Sequence, residues 1–303
     1  MRKVLITGSG GFTGYHLIKY LEQLRDIELI GVDNIPSPGI KAYICNLTNY
    51  DRISSIIHEE KPGYIIHLAG ISKASRFTAY YRNNVFSTHN VLKSVLEKGY
   101  SETRILLIST SAVYGSNHMK QVAETDSPLP LNFYGNSKLA MEYVALQYRN
   151  VHQLKLNIVR PFNIIGPHQS PAFVIPAMVR QLIRISKGQK RPTLVVGDLD
   201  SKRDFIDISD VVRAYWLLVN HNRFGDIYNI ASGKSVSIYV VLNKLLKLFN
   251  LEVTVRSNPI DNRQNQIMDL YANISKIKNL GWLPQISLNE SLQRIITANG
   301  NEG

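Results

Sequence analysis

The chain has a single cysteine, Cys45, among its 303 residues, so it forms no intrachain disulfide and offers no thiolate cluster to a metal. Long apolar runs are missing as well. No stretch approaches the ~18 uncharged apolar residues of a membrane helix, so no membrane span is expected. "MRKVLITG" enters a strand pattern at once, with no apolar segment before a small-residue cleavage site, and no secretory signal is predicted. A reducing, cytoplasmic setting fits these absences. Histidines at ligand spacing and paired carboxylates are also wanting, which argues against a metal site and against hydrolysis.

Negative charge is scarce: 23 acidic residues face 35 basic ones, a net charge of +12. The basic residues are scattered, with only short groups such as "KGQKR" at 187–191. No basic repeat is interleaved with aromatics in the manner that stacks bases, so nucleic acid is not an expected partner. A solvated surface accounts for most of the excess, leaving a few arginines for an acidic small ligand such as a diphosphate.

What is present is an alternation. "KVLIT" (3–7), "IELIGVD" (27–33), "AYICN" (42–46), "YIIHLAG" (64–70), "RILLIST" (104–110) and "LNIVRPF" (156–162) read as strands covered on both faces. Helical patterns lie between them at 13–24, 49–60, 83–98 and 134–150. Strand and helix in alternation predict an α/β fold with a doubly wound, parallel, Rossmann-like sheet. The texture changes at "GPHQSPAFVIP" (166–176), whose prolines break regular structure. "DIYNIAS" (226–232) reads as one more strand of the main sheet. The expected division is a dinucleotide-binding part, residues 1–165 with 205–231, and a smaller, largely C-terminal substrate-binding lobe, residues 166–204 with 232–303.

Four glycines crowd "ITGSGGFTG" (6–14), behind the first strand. Gly8, Gly11 and Gly14 give G-x-x-G-x-x-G between a strand and a helix. The first permits a tight turn, the second admits a pyrophosphate to the backbone, and the third lets helix and sheet pack closely. Asp33 ends the next strand, where a carboxylate accepts hydrogen bonds from a ribose 2′-hydroxyl and repels a 2′-phosphate. That favours NAD.

The spacing resembles that of the extended short-chain dehydrogenase/reductase family, and "STSAVYG" (109–115) followed by "YGNSK" (134–138) strengthens the likeness. "NLT" (46–48), "HLAG" (67–70), "NNVFSTHNVL" (83–92), "RPFNIIGP" (160–167), "RDFIDISD" (203–210) and "LGWLPQISLNESL" (280–292) resemble family landmarks in order. The resemblance implies a catalytic set of Thr110, Tyr134 and Lys138, with NADPH or NADH as cofactor. It further implies cofactor contacts from Gly8, Gly11, Phe12, Thr13, Gly14, Asp33, Asn46, Leu47, Leu68, Ala69, Gly70 and Phe162, besides Tyr134 and Lys138. Lys138 would also bind the nicotinamide ribose, and His67 would fill the sheet edge. Substrate contacts are implied for Thr110, Ser111, Asn163, Arg180, Arg203 and Arg263, and a homodimer through helices 83–98 and 134–150.

Tyr134 and Lys138 share one helix face. A phenol of pKa about 10 is a poor acid–base group at pH 7, and an adjacent ammonium is expected to favour its ionised form. Related 4,6-dehydratases resemble this stretch but carry an acid and a base where Ser111 and Ala112 stand. A methyl group transfers no proton, so dehydration is disfavoured. A 3,5-epimerase-reductase needs a cysteine–histidine pair, and Cys45 sits away from the expected cleft. "GPHQSPAFVIPAMVRQLIRI" and "VVGDLDSKRDFIDISDVVRAYWLL" look like the GDP-4-keto-6-deoxymannose reductases. The expectation is therefore C4-ketone reduction on a nucleotide-linked 4-keto-6-deoxy sugar, the GDP-mannose derivative or a related deoxyheptose. A nucleotide-sugar 4-epimerase holding NAD tightly is the alternative.

Overall fold

The computed structural model describes residues 1–115, 121–257 and 269–300. The chain opens with β1 (Arg2–Thr7), α1 (Phe12–Leu21), β2 (Ile27–Asp33), β3 (Lys41–Ile44), α2 (Tyr50–Glu60) and β4 (Tyr64–His67). A short helix α3 (Phe77–Tyr80) runs through a π-helical turn (Tyr81–Phe86) into α4 (Ser87–Glu97) and then β5 (Arg104–Ile108). Next come β6 (Gln121–Val122), α5 (Phe133–His152), β7 (Leu156–Pro161), β8 (Asn163–Ile165), α6 (Val174–Ser186) and β9 (Thr193–Val196). β10 (Lys202–Arg203), β11 (Phe205–Asp207), α7 (Ile208–Asn220), β12 (Ile227–Ile230), β13 (Val236–Ser237) and α8 (Ile238–Phe249) follow. β14 (Thr254–Ser257), β15 (Asp269–Ala272), α9 (Ser275–Lys278) and α10 (Leu288–Gly300) complete the described chain.

The chain divides into two compact units. The first comprises residues 1–117, 124–161 and 212–230. Its centre is a seven-stranded sheet of order β12-β7-β5-β4-β1-β2-β3. Every neighbouring pair is parallel. The order reverses direction at β1, the signature of a doubly wound Rossmann-type sheet. Leu5, Ile30, Ile65, Ile105, Leu107 and Ile158 form one core with Ile53, Ile56 and Ile57 of α2, Val91, Leu92 and Val95 of α4, and Ala145 of α5. The alternate strand residues Val4, Ile6, Ile66, Leu106 and Val159 are buried toward the opposite face. This explains why the strands read as unbroken apolar runs. β12 lies beside β7, where "DIYNIAS" was expected to extend the main sheet. The helix predicted over 83–98 differs in detail: its first turns are π-helical, and regular α-helix begins only at Ser87.

The second unit comprises residues 118–123, 162–211 and 231–303. Residues 162–165 and 205–211, which the sequence pattern assigns to the first part, fall here, because β8 pairs with β11 rather than extending the large sheet. α6, α8 and α10 bury Met178, Val179, Leu182, Val241, Leu242, Leu245, Leu292 and Ile295 in a separate core. Two buried aspartates organise its irregular segments. Asp210 accepts the Gln285 and Ile286 amides at 2.9–3.0 Å, and its carbonyl accepts the Trp282 indole N–H at 3.2 Å. Asp204, fully buried, accepts the Ser232 amide at 2.8 Å, the Ser232 hydroxyl at 2.6 Å, the Gly233 amide at 2.9 Å and the Ala272 amide at 3.2 Å.

Replacing Asp204 by alanine strands those donors, each costing about 1–3 kcal/mol when buried and unpaired. Asp204→Ala is expected to lose about 3–5 kcal/mol of stability, read as a lower urea midpoint. An unchanged midpoint refutes this account of the unit.

Candidate active site

The glycine turn joins β1 to α1. Gly8 has φ +72° and donates its amide to Val32 O at 2.9 Å, placing the turn against the end of β2. A Cβ on Gly8 would lie 2.8 Å from Ala69 N, and one on Gly14 would lie 2.4 Å from Gly8 O. Both neighbours are backbone and cannot yield, so these positions require glycine. α1 begins at Gly11 with no side-chain cap and no acidic residue in its first turn. The first-turn amides, including those of Phe12, Thr13 and Gly14, therefore keep their positive end for an external anion. Asp33 accepts the Gly10 amide at 2.9 Å and the Asn34 amide at 2.6 Å, fixing the carboxylate beside the turn. This cradle fits a dinucleotide: a narrow glycine surface for the diphosphate and an anchored acid for a ribose.

The other expected cofactor residues differ among themselves. Leu68 donates its amide to Thr7 O at 3.1 Å and Ala69 donates to Thr7 Oγ1 at 3.3 Å, holding the end of β4 against β1. Asn46 spends its side-chain oxygen on Thr48, at 3.0 Å to the amide and 2.9 Å to the hydroxyl. Leu47 is part of the core and gives its carbonyl to Asn90 at 2.9 Å. Phe162 is buried in the second unit. Cys45 is buried behind β3, and burial pushes its thiol above the usual range.

Thr110 follows β5 and caps a short 3₁₀ turn, Ser111–Val113, by accepting the Ala112 amide at 3.2 Å. Asn132 caps α5 in the same way through the Gly135 amide, at 2.8 Å, which starts the helix just ahead of Tyr134. Tyr134 and Lys138 then lie one turn apart. A Cβ on Gly135 would come within 2.6 Å of Ala112 O, so the bare residue lets α5 close on the turn that carries Thr110. The outcome is a hydrogen bond between Thr110 and Tyr134. Gly70 stands beside Lys138: its missing Cβ would lie 3.6 Å from Lys138 Nζ and 2.8 Å from Asn84 Oδ1.

Burial sets the electrostatics. It pushes the Tyr134 phenol above its ordinary value, and the Thr110 hydrogen bond pulls the other way. Lys138, 4% exposed, is itself depressed by burial to about 8, against the opposing charge of Glu142. His67 bridges Thr7 at 2.7 Å and Thr88 at 2.9 Å. Burial first, and Lys138 second, hold it down at about 3, so it is a neutral filler of the sheet.

In the second unit, Asn163 donates its side-chain amide to Asp204 O at 3.1 Å. Arg203 donates to Lys202 O at 2.7 Å; burial lowers its pKa, with Asp198 and Asp269 opposing. Arg180 is exposed on α6 and Ser111 half-buried in its turn. Arg263 lies outside the described residues. Among the described residues, no group of three or more His, Cys, Asp or Glu side chains could hold a metal ion, and no helix is long and apolar enough to cross a membrane.

Two residues escaped the sequence reading. Gly135 was hidden inside the "YGNSK" motif, where only its closeness to Ala112 gives it meaning. Asn84, fully buried in the π-helical turn, accepts the Ile71 amide at 2.8 Å and donates to Ser137 Oγ at 2.9 Å. The paired asparagines of "NNVF" were the available signal.

Comparison with known proteins agrees with this geometry. The profile of the NAD dependent epimerase/dehydratase family matches residues 4–231. GDP-6-deoxy-D-mannose reductase of Pseudomonas aeruginosa is 32% identical, over 98% of this chain and 96% of that one. GDP-6-deoxy-D-talose 4-dehydrogenase of Aggregatibacter actinomycetemcomitans is 29% identical, over 92% and 90% respectively. Among solved structures, RMD from Pseudomonas aeruginosa complexed with NADPH superposes with a TM-score of 0.88 at 30% identity, over 99% of this chain and 100% of that one.

The backbone contact at Gly14 gives a direct test of the cradle. Gly14→Val is expected to weaken dinucleotide binding by at least about 100-fold, because the side chain displaces Gly8 O and the amides behind it. Fluorescence titration with NADH measures it, and wild-type affinity in a folded variant refutes the assignment.

Proposed function

Because the chain belongs to the NAD-dependent epimerase/dehydratase family, we propose that it is a nucleotide-sugar 4-ketoreductase. The substrate of this reading is a nucleotide-linked 4-keto-6-deoxy sugar, GDP-4-keto-6-deoxy-mannose before a related deoxyheptose. The observation that carries it is the Thr110–Tyr134 hydrogen bond on a buried phenol whose proton burial retains, with Ala112 rather than an acid or base two residues after Thr110 in the chain. A neutral phenol is what a ketone reduction needs, since the carbonyl oxygen must receive a proton. The two relatives named above support the sugar class, since talose is the C4 epimer of mannose.

In this reading the amides of Gly11 to Gly14 hold the cofactor diphosphate, Asp33 its adenosine ribose, and Lys138 its nicotinamide ribose. When bound, the reduced dinucleotide supplies a hydride. Thr110 orients the C4 oxygen by a hydrogen bond, and Tyr134 gives that oxygen its proton as the carbon becomes tetrahedral. Asn163, Arg180, Arg203 and Arg263 are assigned to the nucleotide diphosphate, for which the guanidinium fork is well suited. Either NADPH or NADH serves this chemistry; the Asp33 carboxylate disfavours a 2′-phosphate, so NADH is expected to give the higher kcat/KM. A cytoplasmic homodimer through the exposed side chains of α4 and α5, such as Tyr143 and Val151, completes the proposal.

The decisive assay follows NADH and NADPH absorbance with GDP-4-keto-6-deoxy-mannose generated by a separate dehydratase. Stoichiometric oxidation with a GDP-6-deoxyhexose product supports the reductase. No oxidation, with NAD co-purifying, favours the 4-epimerase. Tyr134→Phe is expected to lower kcat by about 10²–10⁴ with little change in KM. Retention of wild-type turnover in that variant overturns the mechanism.

A further inference from the structure

We propose that Glu142 is a positioning residue of this site, tying the strand end that bears Thr110 to the helix that bears Tyr134 and Lys138, and setting a buried carboxylate one helical turn from Lys138. The inference rests on the catalytic reading above and adds a residue to it.

Lys138 is a buried cation with poor company. Its one hydrogen bond among the described residues goes to Met141 Sδ at 3.4 Å, and a thioether is a weak acceptor. Of the titratable groups around it, His67 at the end of β4 is neutral, and Tyr134 one turn earlier on α5 is a protonated phenol. Glu142, one turn later on the same helix face, is the acid that opposes its desolvation. Without that carboxylate, the depressed midpoint of about 8 would fall further and the amine would lose its proton near neutrality.

Glu142 is held with little freedom. It is 1% exposed and receives Arg160 through two bonds, Nε at 3.0 Å and Nη2 at 2.7 Å. Arg160 is 3% exposed, on β7, with its guanidinium 4.8 Å over the Tyr114 ring. The hydroxyl of Ser109, the residue before Thr110, donates to the same carboxylate. One acid thereby joins the ends of β5 and β7 to α5, directly behind the Thr110–Tyr134 pair. A buried ion pair is weak evidence for stability, because apolar replacements of similar volume often do as well. A pair that also faces a third, unpaired cation has a different use: Arg160 fixes the carboxylate, and its field reaches Lys138.

The test titrates Lys138 in the dinucleotide-free protein by competitive acetylation with acetic anhydride, read by mass spectrometry. The wild-type midpoint is expected at about 8. Glu142→Gln keeps the shape and an acceptor for Ser109 but removes the charge, and its midpoint should fall by about one unit or more. It also leaves Arg160 uncompensated, so Glu142→Gln/Arg160→Met serves as the second variant, free of that stranded charge, with the same direction of shift expected. Ser109→Ala leaves the carboxylate in place and should keep the midpoint while lowering kcat. An unshifted Lys138 in either folded glutamine variant overturns the proposal. The catalytic reading fails separately, by full turnover in Tyr134→Phe, and the acetylation midpoint depends on neither substrate nor turnover.

Discussion

The first turn of α5 meets the carbonyl of Ala112, and that contact exists only because residue 135 has no side chain. With a Cβ there, 2.6 Å from the oxygen, the helix would have to retreat or tilt. The helix start is independently pinned by the Asn132 cap, so it has little room to adjust. The placement of Thr110, Tyr134 and Lys138 follows from this approach. It brings Tyr134 to Thr110, and through the helical repeat it sends Lys138 toward Gly70 at the end of β4. Glycine appears there too, and its missing Cβ leaves room for both Asn84 and Lys138. Two strand ends and one helix thus converge by omission of side chains rather than by addition of contacts.

Burial then decides what the assembled groups are. Lys138, Tyr134 and His67 are all withdrawn from water, and each responds toward its neutral form. For Tyr134 this means a retained proton, for His67 an uncharged imidazole between two threonines, and for Lys138 a midpoint near neutrality. These outcomes have one cause but unequal consequences. A tyrosine held as the acid suits proton donation to a ketone; a family member working by dehydration would need a further acid–base pair beside the threonine, and Ala112 offers none.

Much of this was legible in the sequence. Strand positions followed from unbroken Val, Ile and Leu runs, because strands covered on both faces have no polar side to show. The glycine turn was legible because G-x-x-G-x-x-G, a preceding strand and Asp33 are all local. Tyr134 and Lys138 were legible as a helical repeat. What stayed hidden depends on partners far along the chain. Gly135 has meaning only against Ala112, Asn84 only against Ile71 and Ser137, and the π-helical turn that carries Asn84 has the same residue types as ordinary helix. Residues 162–165 and 205–211 were assigned to the larger part, yet β8 and β11 within them pair with each other rather than with its sheet.

The second unit uses a different economy of charge. Asp204 and Asp210 are buried carboxylates that accept backbone amides, and Asp204 a serine hydroxyl as well. Carboxylates satisfied this way bind loops that have no regular structure of their own, here Ser232–Gly233 and Gln285–Ile286. Arg203, next to Asp204 in sequence, is left with a single carbonyl contact while burial lowers its pKa. A guanidinium keeps its charge under such conditions, since its unperturbed pKa is far above neutrality. Among the described residues the Arg203 guanidinium makes one hydrogen bond, to the Lys202 carbonyl. The adjoining aspartate is committed to amides on other segments, and it is Asp198 and Asp269 whose charges support the guanidinium.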